Sequence, residues 1–583
     1  MFRIVVLLAS LLFADAARAI TADGRPHGNF FKPPGVPRIE ADPNQGPVVS
    51  RNGTQLPPYN TTFFFDQLID HNNPSLGTFK QRFWHTWEFY EPGGPIILMT
   101  PGEINANGYA DGYLSNRTIN GQIAQQQNGS AIVLEHRFYG LSNPIDNLKS
   151  ESLKLHTLQQ AIDDLEYFAK NVVLPQPNGD QVTPDKAPWV LVGGSYSGAL
   201  TSWTMVNKPG LFAAGYASSG VVEAILDFWQ YFEPEREHMP QNCSADVQAV
   251  IAHIDQVFSG KNTTAIQAIK ENFGLGDMTH LDDVAGALRN NLWDWQSLQP
   301  TSGPKTTFYA FCDALEVKNG VSAPAKGWGL DHALQAWGNF WTQGGYLKRR
   351  KRYFILSTSP LINSSISKVC GDTSAEECLG SYDPTQAYYT DTSIDNNNRS
   401  WFWIVCNFVG YLQEGAPAGH PSLVTRLVQP AYDLRQCQFM FPDAFPEPPK
   451  VDIRGTNTKY KGWDVRIKNI FFANGMRDPW RDATISAEGL NVASTPEQPI
   501  HVGDGFHCSD LSTASSLVDP TILAVQKAAL QSMATWLAAW KPTAAGNGGR
   551  QPAPGPAGSI PQGRPAAAPV KPLSAWNKGA GTA

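Results

Sequence analysis

The stretch Gly193-Gly194-Ser195-Tyr196-Ser197-Gly198-Ala199-Leu200 constrains the fold more than any other. It follows the apolar run Trp189-Val190-Leu191-Val192 and precedes a helical pattern. A strand, a cramped turn with a serine at its tip, then a helix is the nucleophile-elbow arrangement. Small residues let such a turn hold its serine in a strained backbone conformation and leave room beside it. The pentapeptide form is Gly-x-Ser-x-Gly. Gly193 and Ser195 match it, and Ser197 stands where the last glycine would be. A serine used this way needs a base, and the base needs an orienting carboxylate, so the rest of the chain must supply both.

Around the turn, strand and helix patterns alternate. Pro95-Ile96-Ile97-Leu98-Met99 and Ala131-Ile132-Val133-Leu134 read as short buried strands, and 211–216 as another. Leu158, Ile162, Leu165 and Phe168 share one face of a helix spanning 158–170. The aromatic-rich segment 63–91 fits edge strands or an opening hairpin. Such alternation predicts an α/β fold, a mostly parallel sheet flanked by helices. It lapses after residue 221 and returns at Asn469-Ile470-Phe471-Phe472-Ala473 and at Pro499-Ile500-His501-Val502. Residues 222–440 are therefore expected as an inserted cap domain, with the sheet-forming parts at 61–221 and 441–540. The last helix is expected to have Asp519 as N-cap and Pro520 at its first position. Its expected buried stripe is Leu523, Leu530, Met533, Leu537 and Trp540. Residues 20–60, rich in Pro, Gly and Asn, read as a loosely held arm. Residues 541–583, dominated by Ala, Gly and Pro, read as a disordered tail.

The N-terminus predicts export. Arg3, the apolar run Ile4 to Phe13, and Ala17-Arg18-Ala19 form a signal-peptide pattern over residues 1–19. The run is too short to span a bilayer, so no membrane partner is expected. Asn52, Asn60, Asn116, Asn128, Asn242, Asn262, Asn363 and Asn398 each begin an Asn-x-Ser/Thr acceptor sequence. An oxidising compartment would pair most of the seven cysteines. Local pairing would join Cys370 to Cys378, Cys406 to Cys437 and Cys243 to Cys312, leaving Cys508. The net charge of -7 lacks the basic footprint of a nucleic-acid surface. Without a Cys-x-x-Cys pair or a His-Glu-x-x-His motif, neither a metal site nor a cofactor is expected. The basic run Lys348-Arg349-Arg350-Lys351-Arg352 reads as a solvated loop, with proteolytic processing as the alternative.

With the elbow in an α/β sheet, chain order should be Ser, then Asp or Glu, then His, each following a strand. Asp478 follows the strand at 470–473 within Arg477-Asp478-Pro479-Trp480. His507 follows the strand at 500–502 within Gly503-Asp504-Gly505-Phe506-His507-Cys508. Asp482 lies further from its strand end, Asp504 and Asp510 lie too close to His507, and His501 sits inside a strand. The reading is a triad in which Ser195 attacks a carbonyl, His507 moves its proton and Asp478 fixes the imidazole. Tyr196, next after the serine, would give one oxyanion-binding N–H. The loop at Gly102 or Glu103 would give the second.

These motifs, with Glu135-His136-Arg137-Phe138-Tyr139-Gly140 and the opening Phe65-Asp66-Gln67-Leu68-Ile69-Asp70-His71-Asn72-Asn73-Pro74, resemble the prolyl carboxypeptidase and dipeptidyl peptidase II family of serine peptidases. Ser197 and Cys508 resemble its fungal acid prolyl endopeptidase branch. The resemblance covers about 63–540. It implies an α/β-hydrolase fold with a helical cap, cleavage after proline or alanine, and work at acidic pH. It implies proline-containing peptides or proteins as partners, and it allows a homodimer. It also places Trp480 as a wall of the proline slot; packing in the core is the other reading of that tryptophan. Branch resemblance favours endopeptidase action, with Pro-Xaa carboxypeptidase action beside it. The expected location is extracellular, with a vacuole-like acidic compartment as the alternative. Three other readings remain open: a dipeptidyl aminopeptidase of the same family, an esterase or lipase on the same fold, and a non-catalytic binding protein.

Overall fold

In the computed structural model the described residues are 35–40, 42, 44, 46–343 and 374–542. The signal-peptide pattern, Asn363, Cys370, the basic run at 348–352 and residues 543–583 lie outside them. Eight strands form the main sheet. They are β1 (Thr62–Leu68), β2 (Thr78–Thr86), β3 (Ile96–Thr100), β4 (Ser130–Leu134), β5 (Trp189–Gly194), β6 (Ala214–Ser218), β7 (Ile470–Gly475) and β8 (Ile500–Gly503). Their order is β1-β2-β4-β3-β5-β6-β7-β8. The pairs β1·β2 and β2·β4 are antiparallel. From β4 to β8 every pair is parallel.

The residue types explain this order. Strands β3 and β5 are buried along their whole length, as parallel strands covered on both faces must be. β1, at the edge, keeps exposed positions such as Phe64. One face of the sheet is covered by α1 (Leu158–Asn171) and α2 (Tyr196–Asn207), whose apolar residues join a core that includes Ile96, Leu98 and Leu191. The other face packs Ile97, Met99, Val190 and Val192 against α3 (Pro520–Ala539).

Between β6 and β7 the described chain adds no strand to the main sheet. It is mostly helical, with a short parallel pair, Ile225–Asp227 beside Gly410–Leu412, and a hairpin at 317–322. Its apolar residues, among them Phe228, Trp295, Phe308 and Trp337, continue the core on the α1/α2 face. Disulfides join Cys243 to Cys312 and Cys406 to Cys437, while Cys508 is a free, buried thiol. No described helix is long and apolar enough to cross a membrane.

Two expectations need correction. The described residues of the arm are not loosely held: Val36, Ile39, Val48, Leu56 and Tyr59 are buried in the α3-side core. Pro and Gly in this stretch prevent regular structure, yet the interleaved apolar side chains still reach the sheet. On α3, Asp519 caps as expected, its side chain accepting from the Thr521 and Ile522 N–H groups. Met533 is buried as expected, and Leu530 and Leu537 pack half-buried against the core. The fully buried positions, however, run Ile522, Val525, Ala529, Met533 and Trp536, Leu523 is exposed, and Trp540 lies past the helix end. Adjacent apolar pairs such as Ile522-Leu523 leave two overlapping stripes in the sequence. The one in which Ala529 permits close approach faces the sheet.

The arm's packing is testable. Val36→Asp buries an unpaired carboxylate beside Gly194 and should destabilise the fold by about 2 kcal/mol or more. Calorimetry should show a lowered thermal midpoint. A midpoint equal to wild type would mean that the arm does not hold the core.

Candidate active site

Ser195 lies between the end of β5 and the start of α2, with φ 63° and ψ -126°. A non-glycine residue in this region carries strain of order 1–3 kcal/mol, so the surroundings must enforce it. The Ser195 N–H donates to the Ser218 carbonyl at 2.8 Å, tying the turn to β6. At Gly193 a Cβ would collide with the Ser197 carbonyl oxygen, so the turn closes only around glycine there. Ser197 also has a spatial reason. A Cβ at Gly102, which has φ +82°, would sit 2.6 Å from Ser197 Oγ. The serine side chain therefore fills space that the glycine opposite leaves open.

Three loops at the C-terminal ends of β5, β7 and β8 meet. His507 Nε2 lies 2.7 Å from Ser195 Oγ, and His507 Nδ1 lies 2.8 Å from Asp478 Oδ1. The three residues are 0%, 2% and 0% exposed for Ser195, His507 and Asp478. Asp478 Oδ1 also accepts the Trp480 N–H at 2.9 Å, which fixes the carboxylate's rotation. Burial, the strongest influence on His507, pushes its pKa down. The Asp478 charge, the Cys508 sulfur and the hydrogen bond to Asp478 outweigh it, leaving the imidazole well above its ordinary value. The rival acids and base are engaged elsewhere. Asp482 accepts the Glu488 N–H, Asp504 pairs with Arg477, Asp510 accepts from Tyr216 and Ser218, and His501 stacks on Phe471.

The expected oxyanion donors sit differently from one another. Tyr196 opens α2, so its N–H is a first-turn donor without an intrahelical acceptor. The Gly102 N–H points to Thr100 Oγ1 at 3.4 Å. The Glu103 N–H makes no backbone hydrogen bond among the described residues.

The Glu103 side chain had no role in the sequence reading. It is 5% exposed, and neither carboxylate oxygen has a hydrogen-bond partner among the described residues. Burial pushes its pKa well above the carboxylate range. Its own amide and the His507 charge pull the other way and lose.

Trp480 is fully buried, with ring centroids of Phe228, Tyr231 and Tyr411 5.3–5.5 Å away and that of His507 at 6.3 Å. Its indole N–H donates to Gln296 Oε1 at 2.7 Å. Phe228, Tyr231, Gln296 and Tyr411 lie far from any motif. For the first three the signal was only the aromatic density of 228–232 and 293–296; Tyr411 lies outside both stretches. The sequon asparagines Asn52, Asn60, Asn116, Asn128, Asn242, Asn262 and Asn398 are all exposed or half-buried. No described group of His, Cys, Asp and Glu residues could hold a metal ion.

A mostly parallel sheet flanked by helices, with a serine elbow whose partners follow later strands, is the α/β-hydrolase fold. The profile of the serine carboxypeptidase S28 family matches residues 67–291 and 348–530. The serine protease vicPa of Bipolaris victoriae is 35% identical over 457 residues, 77% of this chain and 83% of its own length. A "probable extracellular serine carboxypeptidase" of Arthroderma benhamiae is 32% identical over 444 residues, 74% of this chain and 59% of its own. The thymus-specific serine protease of Homo sapiens is 22% identical over 489 residues, 81% of this chain and 86% of its own. The chain belongs to the serine carboxypeptidase S28 family and is a serine peptidase.

Glu103 generates a pH prediction. Its carboxyl is neutral below its raised pKa. Above it, an unpaired negative charge stands on the loop beside the elbow and opposes a developing oxyanion. Activity should therefore fall on the alkaline side in the wild type, and Glu103→Gln, neutral at every pH, should lose that fall. Rate–pH profiles that superimpose would show that Glu103 does not set the limb.

Proposed function

We propose that this chain is a secreted peptidase that cleaves on the carboxyl side of proline through an acyl-enzyme on Ser195. The observation that carries the reading is the hydrogen-bonded series Ser195–His507–Asp478, assembled from three strand ends in a water-poor setting. In this reading His507 takes the Ser195 proton as Oγ attacks the substrate carbonyl, then gives it to the leaving amine. Asp478 holds Nδ1 protonated, so that Nε2 faces the serine. The N–H groups of Tyr196 and Glu103 receive the oxyanion, each contributing about two to three orders of magnitude in rate.

Proline preference rests on the aromatic cluster beside the base. A pyrrolidine ring is compact and apolar, and it suits a slot walled by flat rings. Trp480 would be the wall nearest His507, backed by Phe228, Tyr231 and Tyr411. The stretch 222–440, mainly helical among its described residues, would act as the cap over this cleft. Export is supported by the signal-peptide pattern, the accessible sequons, the disulfides among the described residues and the extracellular relative. That relative's name, a carboxypeptidase, supports action at a free C-terminus beside internal cleavage. The acidic working range has one feature on each side: a neutral Glu103 favours it, and the raised pKa of His507, which protonates the base as pH falls, works against it.

The test is a proline peptide series with free and blocked ends, digested by wild type and Ser195→Ala from acidic to neutral pH. Cleavage should follow proline, and the substitution should lower kcat by about 10⁶. Activity surviving in Ser195→Ala would remove the nucleophile. Cleavage mainly after residues other than proline or alanine would remove the specificity, and ester turnover without peptide cleavage would indicate an esterase.

A further inference from the structure

A five-residue stretch of the helical region, Trp295 to Gln299, touches each of the two loops that carry the histidine and the acid. Trp295 Nε1 donates to the Arg477 carbonyl at 2.8 Å, one residue before Asp478. Its ring packs on Phe506, one residue before His507, with centroids 5.0 Å apart. Gln296 Oε1 accepts from Trp480 Nε1 at 2.7 Å and from the Tyr231 hydroxyl at 2.9 Å. Gln299 Nε2 donates to the His507 carbonyl at 3.0 Å, and its Oε1 accepts from Ser509 Oγ at 2.9 Å. Ser509 Oγ in turn accepts the Phe506 N–H at 2.9 Å, and the Gln299 N–H donates to Ser302 Oγ at 2.8 Å. One short segment thus binds the backbone before the acid, the backbone of the histidine, and the indole beside them.

These bonds lie where the sheet's own restraint ends. β7 and β8 are paired only as far as Gly475 and Gly503. Beyond that, the Met476 and Arg477 N–H groups reach Gly503 and Gly505, and the side-chain positions depend on what grips the loops. Trp295 and Gln296 are buried, so their hydrogen bonds are shielded from competing water and hold position firmly.

We propose that 295–299 is a positioning element of the peptidase site: Gln299 holds the His507 backbone in register with Ser195, and Gln296 fixes the Trp480 ring against the substrate. The helical region is then part of the catalytic geometry as well as its cover. This rests on the triad reading above, and the two residues separate by what they position. Gln299 acts on the base and should move kcat. Gln296 acts on the slot wall and should move discrimination between substrates.

The experiment compares Gln299→Met, Gln299→Glu and Gln296→Met with wild type on paired peptides with proline or alanine before the scissile bond. Rates are normalised to sites titrated with an organophosphonate, so that unfolded protein does not count. Gln299→Met should lose about 10- to 100-fold in kcat, the scale of a small misplacement of a reacting group. Gln299→Glu, which keeps the acceptor for Ser509 and loses the donor to His507, should show the same loss. Gln296→Met should lower the proline-over-alanine ratio of kcat/KM by about tenfold. The inference is overturned if the Gln299 variants turn over within twofold of wild type per titrated site and the Gln296→Met ratio is unchanged. It is equally overturned if all three variants lose kcat alike with no change in ratio, the mark of general packing. Ser195→Ala, run alongside, separates the two claims. If it stays active, the triad reading fails; if it is inactive while the glutamine variants match wild type, only the positioning role fails.

Discussion

Ser195 occupies a backbone conformation that an L-residue avoids, and the architecture around it is what makes that conformation persist. The parallel pairing of β5 with β6 holds the strand end. The Ser195 N–H is bound to Ser218, and the first turn of α2 closes over Gly193, where no side chain fits. A strained residue kept by this many restraints is a position the fold maintains at a cost, which is the usual mark of a functional site. The result is a hydroxyl lifted off the sheet edge to meet the His507 imidazole on the loop after β8, which Asp478, on the loop after β7, holds from its other side.

The second dependency is the distance along the chain. Ser195 and His507 are 312 residues apart, and Asp478 precedes His507 by 29. The strand order β5-β6-β7-β8 brings the three loops to one edge. Most of the intervening chain lies between β6 and β7, where the described residues are mainly helical. Because its core runs on without a break into the α1/α2 face of the sheet, its position and the position of the loops are fixed by the same packing. The arm does the corresponding work on the other face, where Val36 and Leu511 both crowd the space next to Gly194.

The sheet and the three central residues were legible because their signals are local. Short all-apolar runs mark buried parallel strands, and a strained turn demands small residues at fixed spacing. Asp478 and His507 followed from chain order and strand ends alone. What the sequence hid depends on packing between distant segments. On α3, two overlapping apolar stripes differ by one residue, and only contact with the sheet selects Ile522 over Leu523. In the arm, Pro and Gly suppressed the periodicity that would have announced buried side chains. Gln296 and Gln299 carry no motif, because a glutamine's role is set by what lies opposite it. Glu103 stands out in the sequence only through its amide, while its carboxyl shows as buried and unpaired only once the surrounding loops are folded.

The central claim is that one serine, made nucleophilic by one histidine, does the chemistry. Its most direct measurement is the covalent adduct itself. The protein is treated with a fluorophosphonate, and the modified residue is located by peptide mass mapping in wild type and in His507→Ala. The account predicts a single adduct on Ser195, formed quickly in the wild type and at a greatly reduced rate without the imidazole. An adduct on another serine, or labelling of Ser195 at the same rate in His507→Ala, would contradict it.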